Sequence, residues 1–229
     1  MSLVSSWIGG TRRLVADVGR NGLLFGPVRR AFVEPAATAS DELLRLMLSY
    51  YGQRLWQSGL IAGSSGNLSA RLKTQDAIYI STHATSMAFL RRSDITRVAL
   101  TDSEPVPENV SVELPLHRAC YLADDRLGAV IHTHAPALTA LSVLGIDPSE
   151  LLPEVRPSLG SVVRVPHAPA GSDELAASVA GAVESGAGMV LLERHGAVTV
   201  GSDLSEACDR MELGELSATA VLMARDGGT

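Results

Sequence analysis

Lysine is nearly missing from this sequence. Of the 19 basic residues only Lys73 is a lysine, and the rest are arginines. Schiff-base chemistry needs a desolvated lysine in a pocket, and Lys73 falls in the polar stretch Arg71–Asp76, which reads as a hairpin-like turn. A carbanion or enolate formed by this chain would therefore be stabilised by a metal ion instead. Cysteine is scarce as well. Cys120 and Cys208 are too few for a disulfide framework and wrongly spaced for a metal cluster. They read as buried thiols on helices, with a reducing cytoplasm as the expected setting. No apolar run reaches the roughly 18 residues of a membrane span, so no membrane partner is expected. The net charge is −6 and the body of the chain carries no basic stripe, which argues against a nucleic-acid partner.

What is present suits a globular protein: 229 residues with 46% hydrophobic side chains can bury one sizeable core. Residues 1–39 stand apart, with Arg12, Arg13, Arg20, Arg29 and Arg30 against only Asp17 and Glu34. They read as a variable N-terminal arm, and residues 40–229 as a single α/β domain. Ser40 reads as an N-cap, and Leu43, Leu46, Met47, Tyr50 and Leu55 follow at helical spacing up to Gly59. Strands are expected over 67–72, 77–81, 97–101, 128–134, 161–166, 188–193 and 197–200. Helices are expected over 112–122, 135–144, from a Ser172 cap to about 184, and from about 204 to 224.

Within that pattern the sharpest local feature is His132-Thr133-His134 at the end of the apolar run Gly128–Ile131. On a strand, residues two apart face the same way, about 6.5–7 Å apart along the chain. Two imidazoles so placed can converge on one cation at about 2.0–2.1 Å each. His195 follows a second apolar strand and precedes Gly196, a residue that permits close backbone approach. Three histidines on rigid supports leave an open coordination position, as a catalytic metal requires. Glu113 lies in the first turn of a predicted helix, with His117 four residues later, and is the candidate acid/base. The stretch Gly59–Ser69, rich in glycine and serine and carrying Asn67, offers N–H groups and hydroxyls to an anion. It lacks both the P-loop lysine and the dinucleotide-binding glycine spacing.

Taken together, four elements in order resemble the class II aldolase/adducin family. They are Gly63-Ser64-Ser65-Gly66-Asn67-Leu68-Ser69, then Glu113…His117, His132-Thr133-His134, and Glu193-Arg194-His195-Gly196. The resemblance covers about residues 40–225. It implies a three-layer α/β/α fold with a mostly antiparallel central sheet, and a homotetramer with active sites at subunit interfaces. By the same resemblance His132, His134 and His195 hold a divalent metal, Zn2+ first, with Mn2+, Fe2+ or Co2+ as alternatives. Glu113 matches the family's acid/base carboxylate, and Ser64, Asn67, Ser111 and His83 fall at its anion-binding positions. The implied function is a lyase that cleaves or forms a carbon–carbon bond in a small hydroxy-carbonyl substrate, such as a sugar phosphate, through a metal-stabilised enediolate.

This sequence departs from the family pattern at three places. His83-Ala84 replaces a Thr-Gly or Ser-Gly pair, and Ser111-Val112 replaces a Ser-Ser pair. The stretch Glu154–Pro157 lacks the tyrosine that aldolases supply from a neighbouring subunit. These departures open a second reading: decarboxylation, dehydration or oxygenation of a non-phosphorylated carboxylate on the same metal scaffold. A non-catalytic, adducin-like assembly role is the third, and the complete histidine set weighs against it.

Overall fold

The computed structural model describes residues 41–72, 75–101 and 103–226. The arm expected at 1–39, the Ser40 cap and Lys73 lie outside them. Helix α1 (Asp41–Gln57) opens with two carboxylates, which favour a helix N-terminus, and buries Leu44, Leu48, Tyr51 and Leu55 along one stripe. The chain then runs through β1 (Asn67–Arg71), β2 (Ala77–Ser81), β3 (Ile95–Ala99), α2 (Leu114–Ala123), β4 (Ala129–Thr133) and α3 (Pro136–Leu144). It continues through α4 (Arg156–Leu159), β5 (Ser161–Val165), α5 (Asp173–Glu184), β6 (Ala187–Leu192), β7 (Gly196–Gly201) and α6 (Leu204–Asp226). Ser172 caps α5 as expected, its Oγ accepting the Leu175 N–H at 3.2 Å. Among the described residues no helix is long and apolar enough to cross a membrane.

The seven strands form one sheet in the order β3-β2-β1-β4-β7-β6-β5. Five neighbouring pairs are antiparallel and β5–β6 is parallel, so the sheet is mixed. The parallel pair exists because α5 carries the chain from the end of β5 back to the start of β6, as a crossover connection must. Helices cover both faces. Leu68, Ala70, Ile131, Met189 and Leu191 pack with α1, α3, α4 and α6 on one side. Ile78, Ile80, Val130, Val190 and Val198 pack with α2 and α5 on the other. Cys120 and Cys208 are buried and free, and burial pushes both thiols up to about 12, so they are inert core residues.

Most boundaries shift by one or two residues from the sequence pattern, and three of the shifts bear on the site or the sheet register. β3 starts at Ile95 rather than Arg97, because its pairing with β2 sets Ser81 opposite Ile95 and Ala77 opposite Ala99. α2 starts at Leu114 rather than Val112, which leaves Glu113 at the N-cap with φ −84° and ψ 9°. β4 ends at Thr133, so His134 stands just beyond the ladder. The short helical turn of α4 had no periodic signal in four residues.

Candidate metal centre

His132 is anchored by the sheet. Its Nδ1 lies 3.0 Å from the Ala197 carbonyl on the neighbouring strand β7. A carbonyl only accepts, so Nδ1 carries the proton and Nε2 is left with a free lone pair. That lone pair faces His134 Nε2 at 3.1 Å. His195 completes the group, its ring centroid 4.8 Å from that of His132 and 5.0 Å from that of His134. One nitrogen from each of the three lies within 4.8 Å of the others. Two ligands of a tetrahedral ion, each at ~2.0–2.1 Å, sit about 3.3 Å apart, close to the spacing of His132 and His134. The chemistry of the donor set fits a divalent cation.

Burial also keeps these imidazoles neutral. It drives His132 well below the ordinary histidine range, and any charge on His195 or His134 lowers it further. His195 falls to about 4, through burial first and then through His134 and His167. His134 is lowered by burial. Three neutral rings with converging lone pairs at neutral pH form a ligand set ready for a cation.

The placement of His195 depends on the β6–β7 hairpin. Leu192 pairs with Gly196, and Glu193, Arg194 and His195 form the connecting turn, closed by the His195 N–H on the Leu192 carbonyl at 3.1 Å. Arg194 takes φ +58°, uncommon for a residue with a side chain, and its N–H is held by Ser142 Oγ at 3.2 Å. Gly196 lets the hairpin touch the end of β4: a Cβ there would lie 2.2 Å from the Thr133 carbonyl oxygen and 3.2 Å from His134 Cα. The absence of that one carbon brings His195 up to His134.

Glu113 stands beside the triad, its Oε1 3.7 Å from His195 Nε2. Its Oε2 is buried without a hydrogen-bond partner. Burial raises the carboxyl above its usual range, and the Gly171 backbone amide opposes part of that rise. A buried carboxylate oxygen left without a partner is costly to maintain, and such groups concentrate at functional sites.

The three histidines and this glutamate all lie within a stretch of the chain that matches a known family. The sequence model of the class II aldolase and adducin N-terminal domain matches residues 47–222. The chain belongs to the class II aldolase/adducin family. The L-fuculose phosphate aldolase of Methanococcus maripaludis is 32% identical over 159 residues, covering 69% of this chain and 84% of that protein. The 3-oxo-tetronate 4-phosphate decarboxylase of Cupriavidus necator is 33% identical over 189 residues, covering 80% of this chain and 85% of that protein. Among solved structures, the L-fuculose-1-phosphate aldolase of Thermus thermophilus superposes with a TM-score of 0.71 at 31% identity, covering 81% of this chain and 97% of that one.

In this class II aldolase relative, the positions expected to meet an anion are distributed unevenly. Asn67 is buried and sits directly opposite His132 in the β1–β4 pairing, on the same side of the sheet. Ser111 is buried, its Oγ accepting the Glu113 N–H at 3.3 Å. His83 is exposed, but its backbone N–H bonds the Asn109 carbonyl at 2.8 Å, and Thr82 bridges to Val110. That ties the loop after β2 to the segment leading into Ser111. Ala84, where the resemblance leads one to expect a glycine, takes φ +56°, uncommon for a residue with a side chain. Ser64 is exposed on the β1 entry loop. His117, noted in the sequence for its spacing from Glu113 and as part of the resemblance, does not join the metal ligands. It is fully buried between Asn67 and Ser69. The signal that finds it is paired periodicity: Glu113 at the N-cap of α2 and His117 and Tyr121 on the helix, four apart, above Asn67 and Ser69 two apart on β1.

Proposed function

We propose that this chain is a divalent-metal-dependent carbon–carbon lyase acting on a small hydroxy-carbonyl compound that carries an anionic group. The observation that carries this reading is the convergence of three neutral imidazoles beside the buried carboxylate of Glu113, whose Oε2 has no hydrogen-bond partner. His132, His134 and His195 would hold the cation, with Zn2+ the first choice. When bound, it supplies Lewis-acid stabilisation to the enediolate left after a carbon–carbon bond breaks. Glu113 takes or returns the proton on the carbon whose bond breaks; its raised pKa brings it nearer the working range of a general acid/base. Asn67, Ser111, Ser64 and His83 provide the anion-recognition side of the pocket.

Decarboxylation is the second reading, favoured by the similarity to the 3-oxo-tetronate 4-phosphate decarboxylase and by the lack of a tyrosine over Glu154–Pro157. Loss of CO2 also breaks a carbon–carbon bond and leaves its electrons in an enediolate, so the same residues serve both reactions. A homotetramer in the cytoplasm belongs to the same proposal and is tested by light scattering and fractionation.

The deciding experiment incubates the zinc-loaded protein in D2O with dihydroxyacetone phosphate, and separately with 3-oxo acid phosphates while CO2 is measured. Deuterium uptake at the hydroxymethyl carbon supports the enediolate chemistry that both readings share, condensation with an added aldehyde supports the aldolase reading, and CO2 release supports the decarboxylase reading. None of these signals in zinc-loaded protein, with His195→Ala indistinguishable from wild type, sinks the proposal.

A further inference from the structure

Helix α2 lies on β1 as one row of side chains over another. Glu113, His117 and Tyr121 recur every four residues, about 6 Å of helix rise. Asn67, Ser69 and Arg71 recur every two, about 6.6 Å of strand. The near match lets the rows meet residue by residue. Tyr121 Oη is 2.9 Å from Ser69 Oγ, and Ser69 Oγ is 2.7 Å from His117 Nδ1. His117 Nε2 is 2.5 Å from Asn67 Oδ1, and the Arg71 guanidinium covers the Tyr121 ring at 5.3 Å. His117 has no exposed surface and Tyr121 has 1%. Such a chain must satisfy every proton within itself.

Counting protons sets its direction. The Tyr121 hydroxyl has one acceptor, Ser69 Oγ, so it donates there. Ser69 then donates to His117 Nδ1, which must be unprotonated. His117 carries its proton on Nε2 and donates to Asn67 Oδ1. The reverse direction leaves the buried Tyr121 O–H without an acceptor among the described residues, and a buried donor left unmet is destabilising. Burial, which lowers His117 to about 3, keeps the ring neutral and so preserves this order. With Oδ1 held, the Asn67 amide nitrogen is left free, without an acceptor among the described residues, on the side of the sheet that carries His132.

We propose that His117 is a positioning residue: as its Nε2–H tautomer it pins the Asn67 carboxamide so that the NH2 group, a donor only, is presented to a substrate oxyanion beside the metal ligands. This rests on the reading of Asn67 as part of the anion pocket. The site thereby selects an anion or enolate oxygen and rejects a donor group at that position. The control reaches from Tyr121, deep in the α2 layer, to the pocket wall through four residues.

Two measurements on the zinc-loaded full chain test it. Long-range 1H–15N spectra of histidine-labelled protein, with His117 assigned by its loss in His117→Gln, must show an unprotonated Nδ1 and a protonated Nε2; an Nδ1–H tautomer overturns the proposal. Affinity for dihydroxyacetone phosphate is then measured by calorimetry, with zinc content and thermal midpoint recorded for each variant. Asn67→Asp keeps the His117 bond but removes the donor, and affinity is expected to fall about tenfold or more. His117→Phe is expected to fall comparably with zinc retained, and His117→Gln, which keeps an amide N–H at the right end, to recover most of the loss. Loss in Asn67→Asp without loss in a folded His117→Phe overturns the role of His117 alone. Unchanged affinity in Asn67→Asp overturns the anion pocket itself, and this inference with it.

Discussion

Replacing Gly196 by alanine tests how the metal centre is assembled without touching a ligand. The added methyl carbon would lie 2.2 Å from the Thr133 carbonyl oxygen, 3.1 Å from its carbon and 3.2 Å from His134 Cα. An ordinary carbon–oxygen contact is about 3.3 Å or longer, so the hairpin and the end of β4 must part by about 1 Å. Metal–ligand distances tolerate about 0.2 Å. His195 and His134 therefore cannot both keep their places, and metal affinity is expected to drop by about 100-fold. The overpacking itself costs ~1–3 kcal/mol of stability. The assay is thermal unfolding at a fixed zinc concentration set at about 100 times the wild-type Kd, where ligand binding stabilises the native state by ~2.7 kcal/mol. For a chain of this size that is a rise of about 5–11 °C over apo protein. In Gly196→Ala the same zinc concentration sits near the new Kd, where the stabilisation is ~0.4 kcal/mol and the rise about 1 °C. A variant that keeps the full zinc-dependent rise, with its apo midpoint unchanged, refutes the close-approach account of the site.

Arg194→Gly, two residues earlier, is expected to be tolerated: the left-handed backbone at φ +58° suits glycine, so stability should stay within ~1 kcal/mol and zinc binding should not change. A loss of zinc would mean that the arginine side chain itself holds the turn. Glu113→Gln should retain zinc, lower proton exchange by about 10²–10⁴-fold, and raise the apo melting temperature, since it removes a carboxylate whose ionised form burial disfavours. Undiminished exchange would remove Glu113 from the chemistry. The apo protein should lose stability as the pH falls below about 6.5, where unfolded histidines take up protons that His195 (about 4) and His117 (about 3) refuse in the native state. Above that pH these groups contribute no slope. Urea titrations from pH 8 to 4 read this directly, and a flat profile for the wild type would contradict the buried, neutral histidines.

Much of this was legible along the chain. His132 and His134 share a strand-end spacing, and the apolar runs before them and before His195 identify rigid supports. Capping worked where the side chain acts on its own helix, as Ser172 does. The anion positions were harder, because Asn67, Ser111 and His83 come from three segments that only the folded chain brings together, through contacts distant in sequence. Asn67 reads in the sequence as an anion-binding position, but its partner His117, and the place of Ser69 between His117 and Tyr121, become visible only when α2 lies on β1.

The sequence by itself determined which side chains could bind a cation and which strands would carry two of them, since strand alternation and apolar patterning are local. Only the tertiary structure decided that His195 meets His134, because that contact depends on a missing Cβ between two strands far apart in the chain. It also decided that His117 holds Asn67 rather than a metal. Helix rise and strand rise match closely enough for α2 and β1 to mesh, and no single segment contains that match.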